Sequence, residues 1–280
     1  MDWLTDPFAF EFMQRSLLAS LLAVVTTSVI GTWVVLRGLS FMGDALAHGV
    51  VPGVAIAFLL DVHLVIGAAV AAAVMIGAIS LIHRTARLTE DTAIGLLFVG
   101  MLALGVIIIS RDGSFAGDLV AILFGDVLGT TTADIIVQGV AAAITVGGVT
   151  LFYRSLLVLA FNEEKAEVLG LNPKLTNFVM MSLITLAVIT SFQTVGTLLV
   201  FGLMIAPPAT ASLVARRVPL MMATAVLAGV VSVVAGLVIS FHFDTAAGAT
   251  MSGFAVALFF VTLAVRSLVV GLSTRLPAKV

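Results

Sequence analysis

The chain alternates long apolar runs with short polar punctuation, and the runs show little internal period. Read as charge-free stretches, they fall near residues 16–36, 40–60, 62–83, 92–110, 135–153, 218–241 and 247–265. Residues 175 to 215 contain no acid or base at all. At about 1.5 Å per residue that run would extend roughly 60 Å, twice a hydrocarbon core, so it predicts two helices. "SFQTVG" (191–196) is its polar interruption and the predicted turn. The pattern predicts an all-α polytopic integral membrane protein with nine crossings, or eight if one segment is re-entrant. One transmembrane domain covers residues 1–280, without a low-complexity linker or a clear internal repeat.

Composition agrees with the pattern. Hydrophobic residues make up 61% of the chain and charged residues 10%, whereas a soluble domain carries roughly a quarter charged. The mean hydropathy is +1.26. A net charge of -2 speaks against a nucleic-acid partner and leaves membrane lipid as the main environment. The absence of cysteine excludes disulfides, thiolate metal sites and thiol catalysis. The N-terminal "MDWLTDPFAFEFMQRSLL" is acidic, lacks the basic start of a secretory signal and reads as mature protein.

Charge then orients the spans. Arg37, Arg84, Arg87, Arg154, Lys165, Lys174, Arg216, Arg217, Arg266, Arg275 and Lys279 fall in alternate connections or the C-terminal tail, and only Arg15 and Arg111 fall opposite. The positive-inside rule makes the first set cytoplasmic, with the N-terminus outside and the C-terminus inside. On the outer side, "SRDGSFAGDLVAILFGDVLGTTTAD" (110–134) holds Asp112, Asp118, Asp126 and Asp134 against one arginine. A partial helix is expected there over about 118–129, too short to span. Most of these aspartates read as solvated groups or helix caps; the alternative is an anionic vestibule or docking surface.

Candidate chemistry is concentrated in "FMGDALAHGVVPG" (41–53). Asp44 and His48 are four residues apart, so one helical face carries both. Eight residues past Ser40, His48 lies roughly 12 Å into the bilayer. A lone aspartate at such depth costs roughly 2.5–3.5 kcal/mol on insertion scales and should face protein or water. A carboxylate oxygen with an imidazole nitrogen suits divalent manganese, iron or zinc. The same pair also fits a structural hydrogen bond or a proton relay. Pro52 and Gly53 follow within a turn and predict a helix break, because proline lacks the N–H donor. "IAPPATAS" (205–212), with Pro207 and Pro208, predicts a second.

Among the other polar residues, "FNEEKAEVLGLNPK" (161–174) reads as a short cytoplasmic helix. Asn162 would cap it, Glu163 and Glu164 fill its first turn, Lys165 and Glu167 follow, Gly170 stops it and Pro173 bars continuation. Ala166 and Leu169, with Val168, would form its apolar side. Asp61, His63, His242 and Asp244 lie in outer loops as weak candidate ligands. Gln138 and Gln193 are expected to hydrogen-bond between helices. No phosphate-binding G-x-x-x-x-G-K-[ST] loop is present, so any ATPase driving transport would be another chain.

Six segments in order resemble one known family: "VLRGLSFMGDALAHGVVPGVAIAFLL" (35–60), "GMLALGVIIISR" (100–111), "LFGDVL" (123–128), "EEKAEVLGLN" (163–172), "VGTLLVFGLMIAPPATA" (195–211) and "FDTAAGAT" (243–250). The chain is similar, over about residues 15 to 268, to permease subunits of bacterial manganese/zinc/iron ABC transporters. The resemblance implies a homodimer in the bacterial cytoplasmic membrane, two ATP-binding ATPase subunits, and an extracellular or periplasmic metal-binding protein. It implies no permanently bound cofactor, Asp44 and His48 as ligands to the transported ion, and residues 163–171 as a coupling helix seated on the ATPase. Pro52–Gly53 after the histidine, and the lack of histidine in "LFVGMLALGV", resemble the manganese and iron branch ahead of zinc. A proton-coupled secondary transporter and a siderophore- or vitamin-type ABC permease are the alternatives.

Overall fold

The computed structural model describes residues 2–86, 90–109 and 127–273. The expected outer partial helix, with Asp112, Asp118 and Asp126, lies outside them except for 127–129. Secondary structure among the described residues is entirely helical. After a four-residue helix, Asp2–Thr5, and a 3-10 turn, Asp6–Ala9, come α1 (Glu11–Leu36), α2 (Ser40–Gly49), α3 (Val51–Leu59), α4 (Leu64–Ala86) and α5 (Glu90–Ile109). The second half comprises α6 (Thr132–Leu151), α7 (Tyr153–Phe161), α8 (Glu163–Val168), α9 (Pro173–Val195), α10 (Thr197–Val214), α11 (Val218–Phe243) and α12 (Ala247–Ser273). Among the described residues, six helical segments are long and apolar enough to cross a membrane, α2 and α3 together counting as one, and three shorter apolar helices accompany them.

α1 is the hub. It packs against α6, α9, α10 and α11, and Ile30 and Trp33 are fully buried. An all-round apolar helix has no preferred outward face, so it goes to the middle. Two of its buried hydroxyls bond within the helix: Thr27 donates to the Ala23 carbonyl at 2.8 Å and Thr32 to that of Ser28 at 2.9 Å. α12 is the opposite case, exposing most of its apolar surface. At the end bearing Arg37, that side chain donates to Asn177 Oδ1 at 2.6 Å and ties α1 to α9. Gln138 on α6 donates to Ser191 on α9 at 3.4 Å, an interhelical bond of the kind expected.

The predicted turn near 191–196 narrows to a single residue. Gly196, at φ +83° and ψ 154°, separates α9 from α10, a backbone region that only glycine enters readily. The break expected at Pro207 and Pro208 does not occur. Both prolines lie inside α10, which is continuous from Thr197 to Val214. Pro208 withdraws the donor for the Met204 carbonyl, and that oxygen lies against Gly31 of α1, where a Cβ would overlap it. The freed acceptor is therefore sheltered by a neighbouring helix.

α2 to α5 form a second group that meets the hub through α9 and α10. Within it, α3 and α4 cross as closely as backbones allow. A Cβ on Gly53 would strike the Gly67 carbonyl, and one on Gly67 would strike the Gly53 carbonyl. Ala71 and Ala57 stand 2.6 Å from those same hypothetical atoms. The two small-xxx-small stripes interlock face to face. Gly67→Ala should lower the thermal midpoint of the purified permease, by overpacking of about 1–3 kcal/mol. Gly77→Ala, with nothing within 4 Å of its new methyl, should leave the midpoint unchanged or raise it. Equal midpoints for the two would show that the crossing tolerates a methyl.

Candidate functional site

Gly38 prepares the site. At φ +69° it ends the α1 helix, with Gly38 N–H bonding the Val35 carbonyl at 3.1 Å and Leu39 N–H that of Val34 at 3.0 Å. This paired stop satisfies the last carbonyls and lets α2 begin at Ser40. Glycines at 43 and 49 then bring neighbours close: a Cβ at Gly43 would meet the Met204 methyl, and one at Gly49 the Met75 sulfur. Ala45, Leu46 and Ala47 are buried, which leaves Asp44 and His48 on the remaining face.

Asp44 and His48 meet as their spacing requires. His48 Nδ1 lies 3.3 Å from Asp44 Oδ1 and 3.1 Å from the Asp44 carbonyl oxygen. Both partners are acceptors, so Nδ1 carries the proton that it donates. In its neutral form the imidazole then keeps its lone pair on Nε2, the atom suited to bind a metal ion. The side chains are 15% exposed for His48 and 22% for Asp44: sheltered, yet within reach of a small cation. Phe98 on α5 closes one wall, its ring 5.6 Å from the His48 ring and 5.4 Å from that of Phe41. Sequence reasoning missed this aromatic wall, because "LLFVGML" offers no polar or periodic signal at Phe98.

No group of three or more His, Cys, Asp or Glu side chains converges among the described residues. Among the described residues one chain thus supplies two donors at this place. Immediately beyond them the helix breaks at Val50, between α2 and α3, and Pro52 occupies the first turn of α3. Without an N–H, Pro52 cannot serve the His48 carbonyl four residues earlier. Gly53 follows and carries the α3–α4 crossing.

The short helix α8 is capped at both ends. Asn162 Oδ1 accepts from the Lys165 N–H at 2.8 Å. Gly170, at φ +72°, closes the stop, with its N–H on the Glu167 carbonyl and Leu171 N–H on that of Ala166, each at 3.0 Å. The helix ends at Val168, and the expected boundary of 171 includes this stop turn. Its apolar residues do not share one side, as expected, but divide. Ala166 is buried against the body, while Val168 and Leu169 are 87% and 57% exposed, beside the exposed Lys165 and Glu167. The two aliphatics at its C-terminal end are thus left uncovered by the rest of the chain's described residues.

The remaining candidates stand apart. Asp134 closes a capping box with Thr131 at the start of α6, a helix cap as expected. His242 donates from Nδ1 to the Val238 carbonyl at 2.9 Å and stacks on Trp3 at 4.4 Å. Asp61 and His63 occupy the turn between α3 and α4.

Known proteins of similar sequence and shape agree on one family. The ABC 3 transport family matches residues 9–266. The manganese transport system membrane protein MntC of Listeria monocytogenes is 40% identical over 264 residues, covering 93% of each chain. The chelated iron transport system membrane protein YfeD of Yersinia pestis is 36% identical over 258 residues, covering 92% of this chain and 86% of its own. Among solved structures, PsaBC from Streptococcus pneumoniae in complex with Fab superposes with a TM-score of 0.83 at 32% identity, covering 93% of this chain and 94% of that one.

Proposed function

The chain belongs to the ABC 3 transport family, and on that premise we propose that it conducts divalent manganese or iron into the bacterial cell through a site built from Asp44 and His48. As an ABC permease it is a multi-pass membrane subunit and is not itself an ATPase. Family membership sets aside the proton-coupled secondary transporter. The relatives named for manganese and for iron transport support the cargo, and zinc remains chemically compatible with the same donors.

The observation that carries the reading is the Asp44–His48 pair, with Nε2 turned from its intrahelical bond. Two side chains are too few to hold a transition ion against water. A second copy related by a two-fold axis would bring two more, making two carboxylates and two imidazoles. Such a mixed shell, completed by water, binds an ion and still releases it, as conduction requires. In this reading the spans number eight or nine, with the N-terminus outside and the C-terminus inside. Residues 163–171 couple to a cytoplasmic ATPase through α8, and a metal-binding protein delivers the ion at the outer face.

Proteoliposomes containing the permease, its ATPase subunit and its binding protein should accumulate manganese or iron(II) only with ATP. The purified permease alone should neither hydrolyse ATP nor concentrate metal. Accumulation driven by a pH gradient without the ATPase would sink the reading. Uptake of an iron chelate but not of the free ions would shift it to the chelate-type permease, a substrate the Yersinia relative's name mentions.

A further inference from the structure

We propose that Asp61 and His63 form an outer metal-capture site, which receives a divalent transition-metal ion before it reaches Asp44 and His48. The inference rests on the metal cargo proposed above and adds a second station for it. Asp61 lies just past the end of α3, and α3 continues the metal-site helix beyond its break at Val50. Thirteen residues separate His48 from Asp61, roughly 20 Å at helical rise. The two pairs therefore stand at the ends of one broken helix. The Gly53–Gly67 crossing holds the outer part of that helix to α4.

Both side chains line one open cavity of about 450 Å³, together with Phe58, Val62 and Leu64. That space accommodates a hydrated ion. The donor set, one carboxylate and one imidazole, repeats the inner pair and suits the same class of ion.

The backbone at Asp61 is the second observation. Asp61 has φ +54°; its N–H bonds the Phe58 carbonyl at 3.2 Å, and Val62 N–H bonds that of Ala57 at 2.9 Å. This is the same helix stop that the chain builds with glycine at Gly38 and Gly170. Aspartate there is strained relative to glycine, and its charge sits at the negative end of a helix. Among the described residues, neither the Asp61 carboxylate nor the His63 imidazole has a hydrogen bond or ion pair to offset this. A bound cation would. At the other outer pair Asp244 ends its helix in the same left-handed conformation, at φ +49°, but the His242 ring is stacked on Trp3, so Asp244 serves as a control.

The test uses the full chain with its ATPase subunit in zwitterionic nanodiscs, and reads manganese binding as loss of the free aqua-ion signal in electron paramagnetic resonance. With Asp44→Asn and His48→Ala in place, a weak site of about one ion per chain should persist, since two protein donors suffice only for weak binding. Adding Asp61→Gly and His63→Ala should remove it, while adding Asp244→Asn should not. Asp61→Gly relieves the backbone, so the thermal midpoint should hold or rise as binding falls, which separates lost ligation from lost folding. Unchanged binding after Asp61→Gly and His63→Ala would overturn the proposal, as would absent binding before them. Were Asp44 and His48 instead dispensable for uptake, the binding readout at Asp61 and His63 would be unaffected, so the two failures are distinguishable.

Discussion

Asp44→Asn and His48→Ala are each expected to reduce metal uptake by more than about 100-fold, the loss that removing even a supporting partner of a metal ligand approaches. The two substitutions act differently. Asparagine keeps the shape of aspartate but removes the charge that attracts a divalent cation. It still leaves His48 Nδ1 its bond to the residue 44 carbonyl, so the imidazole keeps its orientation. Alanine at 48 leaves the carboxylate and removes the imidazole nitrogen that each copy brings to the site. In a two-fold assembly each change is felt twice, since both copies lose the same donor. Assembly with the ATPase and the thermal midpoint should stay near those of the parent protein, because both side chains lie at the edge of the packing rather than in it. The measurement is ATP-driven manganese uptake in proteoliposomes, with co-purification of the ATPase as the control. If His48→Ala transports at the parent rate, the pair is an internal hydrogen bond and the proposed conduit lies elsewhere.

The second large effect is expected at α8. Val168 and Leu169 are exposed, and burying an aliphatic side chain of this size is worth about 1.5–3 kcal/mol. If the ATPase covers them, Val168→Asp with Leu169→Asp should weaken its binding by about 100-fold or more, on the same burial scale. Those residues touch little of the permease itself, so expression and membrane insertion should survive. Glycine substitutions across "EEKAEV" probe the same segment through its backbone, each costing up to about 1 kcal/mol relative to alanine. They should unravel α8 and abolish uptake even where the ATPase remains bound. Asn162→Ala removes a cap worth about 1 kcal/mol and should give an intermediate phenotype. Unchanged uptake in the aspartate and glycine variants alike would make α8 an ordinary surface turn.

Much of this architecture is legible in the chain because lipid imposes a one-dimensional rule. Every backbone polar group in a bilayer must be satisfied locally, so a long charge-free run reads as helix. The same rule exposes Asp44 and His48, since ionisable residues at depth are costly enough to need a reason. Helix ends are equally local. The stop at Gly170 and the cap at Asn162 follow from residue types and spacing, and the structure realises both. Local pattern fails where a residue's role depends on what faces it. Pro207 and Pro208 read as a break, yet α10 continues, because Gly31 on another helix leaves room for the Met204 carbonyl. Ala166 and Leu169 read as one apolar side, yet only Ala166 has a covering neighbour.

By itself the sequence determined the helical class, the positions of the apolar helices and the Asp44–His48 face, since periodicity and the cost of buried charge act within a few residues of each group. Tertiary structure alone decided that Phe98 walls the metal site, that Gly53 and Gly67 lock α3 to α4, and that Asp61 and His63 share a cavity. Those contacts join residues from separate helices or across a turn, and apolar packing inside lipid-facing segments leaves no period from which the partner could be read.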